Sequence, residues 1–189
     1  MPENTVNLCG KLLIAMPGMG DPRFEKSVVY MCAHSDDGAM GLIINKPTPE
    51  VTFPKLLEQL SIDGAKNAPD TRIYFGGPVE LGRGFVLHSG KYHLDDLTLT
   101  VDDRFGMTAT RDVLMDMVAG KGPDKALLAL GYSGWGAGQL EDELQQNGWL
   151  TCDATPEVVF DVPDGDKWVA ALKLLGIDPF MLSATAGRA

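Results

Sequence analysis

Residues 27–45 limit the fold more than any other stretch. Ser27–His34 is rich in β-formers (Val28, Val29, Tyr30), Asp36-Asp37-Gly38 has hairpin-turn chemistry, and Ala39–Asn45 returns as a nearly continuous apolar run. Two strands joined by so short a turn must be antiparallel. The return strand does not alternate, which predicts cover on both of its faces.

The remaining elements fit around this hairpin. Lys11–Met16 is a predicted strand, followed by the turn-rich Pro17-Gly18-Met19-Gly20-Asp21-Pro22. Pro54–Leu60 reads as a short helix. Thr71–Phe75, Gly84–His88 and Leu97–Val101 read as strands. Thr110–Ala119 reads as a helix stopped by Gly120. Lys125–Tyr132 reads as a buried strand, Gly134–Gly138 as a glycine-rich turn, and Gly138–Gln146 as a helix. Trp149–Asp153 reads as a strand, and Asp164–Leu175 as the last helix, with Asp164 as its cap. Strands come first, helices later, and no βαβ alternation appears. The expected class is therefore α+β, one domain over 1–189, with a mixed sheet flanked by helices and a core over about 11–175. Seven or eight short strands are enough to curl toward a barrel. The ends, 1–8 and 182–189, are expected to be loose.

Composition narrows the function. With 189 residues the chain can bury its own core, and 44% apolar residues suit a globular protein. Sixteen basic against 26 acidic residues give a net charge of −10, which argues against general nucleic-acid binding. Arg23, Lys26 and Lys46 form the only positive cluster, and no helix-turn-helix pair stands out. Three cysteines without a CxxC suit a reducing compartment. Leu12–Met16 is too short for a signal peptide core, Pro2 excludes myristoylation, and no run approaches a membrane span. The expected location is the cytoplasm, with no membrane partner.

No catalytic set is complete. Gly131-Tyr132-Ser133-Gly134-Trp135 misses the Gly-x-Ser-x-Gly elbow at its last position, and no histidine follows His93 to complete that triad order. Cys32 and His34 are two apart in a strand, which places them on one face if the strand is regular. The simpler reading is a core cysteine and an edge histidine. His34, His88 and His93 lack metal-ligand spacing, so neither a metal nor a cofactor is expected. Gly134–Gly138 could cradle an anion, but Gln139 replaces the last fingerprint glycine and Glu141, Asp142 and Glu143 repel phosphate. Three loops remain: 16–22, 76–78 and 133–139. If they converge, they form a pocket with Met19 and Trp135 as walls and Asp21, Ser133 and Gln139 as polar groups.

Several segments together resemble the AlgH/YqgE family of bacteria. They are Leu13-Ile14-Ala15-Met16-Pro17-Gly18-Met19, Asp21-Pro22, Ser27-Val28-Val29-Tyr30 and His34, then Gly38 through Pro47, Gly76-Gly77-Pro78-Val79, Arg83 through His88, and Tyr132-Ser133-Gly134-Trp135 with Gly138 through Leu144. They lie in order over about 11–175. The resemblance implies a cytosolic bacterial protein with one α+β domain and a mixed, curved sheet. The family carries a transcriptional-regulator label and no agreed catalytic residues.

The leading expectation is a non-enzymatic binding or regulatory protein that recognises a small molecule or a protein. Its candidate site residues are Met19, Asp21, His34, Asn45, Gly76, Gly77, Ser133, Gly134, Trp135 and Gln139. The alternative is an enzyme, such as a hydrolase, with His34 or His88 as base. A direct DNA-binding regulator comes third.

Overall fold

The computed structural model describes residues 7–18 and 21–186. The 27–45 hairpin forms as expected, from β2 (Val28–Ser35) and β3 (Gly38–Ile43). On one side it adds β1 (Lys11–Ala15) and then β9 (Trp149–Asp153), both antiparallel. On the other, β3 pairs with the C-terminal part of β8 (Ala126–Gly136). Beyond β8 come β5 (Val79–Ser89), β7 (Phe105–Thr108) and β6 (Thr98–Thr100). The order β6-β7-β5-β8-β3-β2-β1-β9 curls into a half-barrel.

One strand lies off that path. β4 (Ile73–Phe75) runs parallel to Leu128–Leu130 of β8. It fills the wedge where β3 and β8 splay apart. Phe75 N donates to Lys46 O at 2.8 Å, Ile43 N to Gly76 O at 2.9 Å, and Gly76 N to Leu130 O at 2.8 Å. The mixed sheet is therefore a local consequence of a wedge rather than of a βαβ unit.

Period-two alternation sorts the side chains. Leu12, Ile14, Val28, Tyr30, Leu42 and Phe85 face inward, onto a core closed by α4 (Lys167–Leu174) and a π-helical turn at Glu157–Asp161. Leu13, Ala15, Val29, Met31 and Ile43 face outward, under α3 (Gln139–Gln145). α1 (Phe53–Gln59) and α2 (Arg111–Val118) cover the outer face of β5 and β8 at Val86 and Leu128. Both faces of the central strands are covered, as the unbroken apolar run of β3 required.

Four readings need correction. β8 does not stop at Tyr132; it continues through Ser133, Gly134 and Trp135, because Gly134 pairs with Met40 and Trp135 with Ala39. β7 was not legible. Its Gly106 breaks the strand pattern, yet glycine is needed there because a Cβ would lie 2.8 Å from the His88 ring. Asp164 does not cap a helix over 164–175. It sits in a 3₁₀ turn, Asp164–Asp166, ahead of α4, and its carboxylate faces Arg72, Tyr74 and Lys167. Of the ends expected to be loose, 1–6 and 187–189 lie outside the described residues; within them the C-terminal segment forms α5 (Pro179–Ala186), and Leu8 is buried against β1 and β2.

Candidate functional site

A β-bulge decides what His34 can do. Met31 pairs with Gly41, but Ala33 pairs with Met40, so one extra residue enters β2. Alternation breaks there. Cys32 stays on the inner face with the main core, while His34 pairs with Ala39 on the outer face. The Cys32–His34 neighbourhood, which required a regular strand, is not formed, and Cys32 is the core cysteine of the simpler reading. Burial also pushes the Cys32 thiol up to about 12, which removes it as a nucleophile near neutral pH.

Both ring nitrogens of His34 are occupied. Leu8 N donates to Nδ1 at 3.1 Å, so the ring proton sits on Nε2, which donates to Glu141 Oε1 at 2.5 Å. That bond holds the Glu141 carboxyl below its ordinary range. The histidine ties the N-terminal segment and α3 to the end of β2. His88 is likewise engaged and fully buried. Its Nδ1 donates to Ser89 O, Nε2 accepts from Thr108 Oγ1, Thr108 accepts from Thr98, and Thr98 accepts from Leu94 N, with every link at 2.8–2.9 Å.

Most of the other candidates hold the fold together. Ser133 is buried and donates to Gly76 O at 3.2 Å. Gly76 and Gly77 cross so close to β8 that a Cβ on Gly77 would lie 2.1 Å from the Tyr132 carbonyl carbon. Gln139 Oε1 accepts from Gly136 N and closes the turn into α3. Trp135 is a core residue, its ring edge-on to Trp149 with centroids 6.0 Å apart. Glu143 accepts from both indoles, at 3.3 Å from Trp135 Nε1 and 3.0 Å from Trp149 Nε1. Asp21 caps a 3₁₀ turn at Pro22–Phe24 and pairs with Arg23, which holds its carboxyl below the ordinary range. Asn45 joins two strand ends, accepting from Val28 N and donating to Lys26 O. Met19 lies outside the described residues.

The expected shared pocket is not formed, because the candidates sit at opposite ends of the half-barrel. One end is its open mouth, a cavity of about 820 Å³. Cys32, Met40, Phe85, Met107, Tyr132 and Gly134 lie along its floor, with Asp37, Glu80 and Arg83 at the rim. At the far end Pro17, Gly18, Asn45, Lys46 and Trp168 line a separate groove of about 560 Å³.

One polar cluster had no signal in the sequence. Lys167 is 1% exposed, and its Nζ donates to Ile44 O at 2.8 Å and to Asp164 at 3.1 Å. Asp164 also accepts from Tyr74 Oη at 2.8 Å and from Arg72 at 2.9 Å. Burial lowers the Lys167 pKa, and Asp164 opposes that shift. The cluster pins α4 to the ends of β3 and β4. Asp164 lies 92 residues from Arg72 and 90 from Tyr74, and Lys167 lies 123 from Ile44, so no local pattern joins the two halves of the cluster.

The family model described as AlgH-like matches residues 12–180. The chain belongs to the AlgH-like family. A UPF0301 protein of Paracoccus denitrificans is 56% identical over 189 residues, covering 99% of this chain and all of that protein. The solution structure of AlgH from Pseudomonas aeruginosa superposes with a TM-score of 0.79 at 41% identity, covering 97% of both chains. Protein DIP2367 from Corynebacterium diphtheriae shares the fold, with a TM-score of 0.70 at 20% identity over 87% of this chain and 85% of that one. In this AlgH-like chain the segments that carry the resemblance divide between the two ends: Pro17-Gly18 and Asn45-Lys46 line the far groove, and Gly38 to Met40 and Gly134 line the mouth. Among the described residues no helix is long and apolar enough to cross a membrane.

Proposed function

We propose that this AlgH-like protein is a non-enzymatic binding protein of the cytoplasm that takes a small apolar molecule into the mouth of its half-barrel. The cavity carries the reading. Its volume of about 820 Å³ is in the range of small-molecule sites, its floor is apolar and aromatic, and its charges stand at the rim. The engagement of both nitrogens of His34 and of His88 supports binding over catalysis, since a general base needs a free lone pair. The three free cysteines, Cys9, Cys32 and Cys152, suit a reducing compartment. A regulatory role, on this reading, runs through the bound molecule. At a net charge of −10 the chain has little general affinity for a phosphate backbone.

Nile red, a neutral apolar dye, tests the reading. Its fluorescence should rise on titration into the wild type and should fail to rise with Ala109→Trp or Leu99→Trp, which fill the mouth from two sides. Leu99 is 43% exposed, so that variant keeps the core intact. Equal dye binding by a folded Leu99→Trp protein would end the proposal.

A further inference from the structure

The far groove is built differently from the mouth. Lys26 and Lys46 enter it from the facing ends of β2 and β3. Neither has a carboxylate within ion-pair distance, nor do the exposed Lys55, Lys66, Lys91, Arg111, Lys121 and Lys173; among the described residues Lys46 is the one unpaired cation that is not exposed. Lys46 is partly buried, and its desolvation outweighs the distant pull of Glu25 and Asp21. A partly buried ammonium with no carboxylate in ion-pair contact has room for a partner that a bound anion can provide.

Lys26 borders the same groove and is exposed. Its backbone is left-handed, with φ +53°, a conformation that glycine adopts more easily. The structure holds it there through Asn45, whose side-chain amide donates to Lys26 O while its carbonyl oxygen accepts from Val28 N. Ser61, Glu80, Asp96 and Asn147 share this backbone conformation, so the groove rests on where the Lys26 side chain lies and not on its φ. The Lys26 ammonium lies over the Trp168 ring, 5.8 Å from the centroid.

The opposite wall is apolar. Val169, Pro179 and Phe180 line it, and Phe180 is 85% exposed at the groove edge. Two carboxylates also border the groove. Asp164 is taken up by Arg72, Tyr74 and Lys167, and Glu25 is exposed.

We infer that the far groove, between the Lys26 and Lys46 ammoniums and the Trp168–Phe180 wall, is a binding site for a small organic anion with a flat apolar body, of the aryl phosphate or aromatic carboxylate class. The anionic group bridges the two lysines, and the apolar body lies along the wall.

Phenyl phosphate, benzoate and inorganic phosphate are the probes, titrated into the ¹⁵N-labelled full chain and followed by amide and indole NMR shifts. Phenyl phosphate and benzoate should shift Gly18, Lys46, Gly165 and the Trp168 indole. The Lys26→Met/Lys46→Met double variant should lose about tenfold or more in affinity, as expected for removal of charge-assisted contacts, while Lys46→Arg stays within about threefold. Phe180→Ala should weaken phenyl phosphate and leave inorganic phosphate unchanged. Shifts confined to the mouth, or unchanged affinity in the double-methionine variant with native-like spectra, would overturn the site. Inorganic phosphate binding as tightly as phenyl phosphate would overturn the apolar half of the ligand assignment.

Discussion

His88 lies wholly inside the protein, and burial holds its pKa below the ordinary 6.5. The folded state therefore resists the proton that the unfolded chain accepts. Stability from this site is complete above about pH 6.5 and falls as pH drops below it, at up to about 1.4 kcal/mol per pH unit. Glu141 acts lower. Its carboxyl is depressed by His34, so its contribution is present above its unfolded value of 4.5 and is lost as pH falls through the folded one. Urea titrations between pH 7 and 5 should show the wild type weakening and His88→Gln losing that slope, whatever the variant's absolute stability. Of the candidate residues, the sequence showed which types were present but not which of their atoms were free. His34 looked like a base at a strand exit, and only the Leu8 amide and the Glu141 carboxylate reveal a histidine with no lone pair to offer.

At the scale of elements, the Gly76-Gly77 crossing decides how β4 enters the sheet. Gly77 has φ +153° and lies against the Tyr132 backbone, with no room for a Cβ. Gly77→Ala must push β8 away from the wedge and should cost about 4 kcal/mol or more. Gly18→Ala is the contrast. Its φ is +82°, but nothing lies within 4 Å of the added atom, so the backbone cost of about 1–2 kcal/mol stands alone. Denaturant midpoints of the two variants check the difference. The sequence marked both as turn glycines and could not tell them apart, because the contact belongs to a strand more than 50 residues away. The bulge in β2 was hidden for a different reason, because its partner strand is close in the chain. The apolar pattern of Tyr30 to Ala33 fits a regular strand, and the extra residue appears only in the pairing with β3.

Across the whole molecule, the curled sheet separates residues that the sequence reading grouped in one site. Eight residues of β2 span about 26–27 Å at 3.2–3.4 Å each, with His34 near one end and Lys26 and Asn45 at the other. The hairpin over 27–45 thus already forbade a single cavity holding both His34 and Asn45. The mouth and the far groove share no lining residue, and the closed core of Leu12, Ile14, Val28, Tyr30 and Leu42 lies between them. The two proposed sites should therefore act independently. Saturating phenyl phosphate should leave Nile red affinity unchanged, and competition between the two probes would mean that one groove takes both.

The amino-acid order alone determined the hairpin, most of the helices, the α+β class and the family, because these depend on local periodicity, turn chemistry and contiguous motifs. Tertiary structure decided the β4 wedge, the extension of β8, the bulge that turns His34 outward and the Lys167–Asp164 cluster. The bulge depends on the register of β2 against β3 across the hairpin, and the others depend on hydrogen bonds or steric contacts between residues far apart in the chain. Such contacts leave no local pattern, and they take effect only once the sheet has curled.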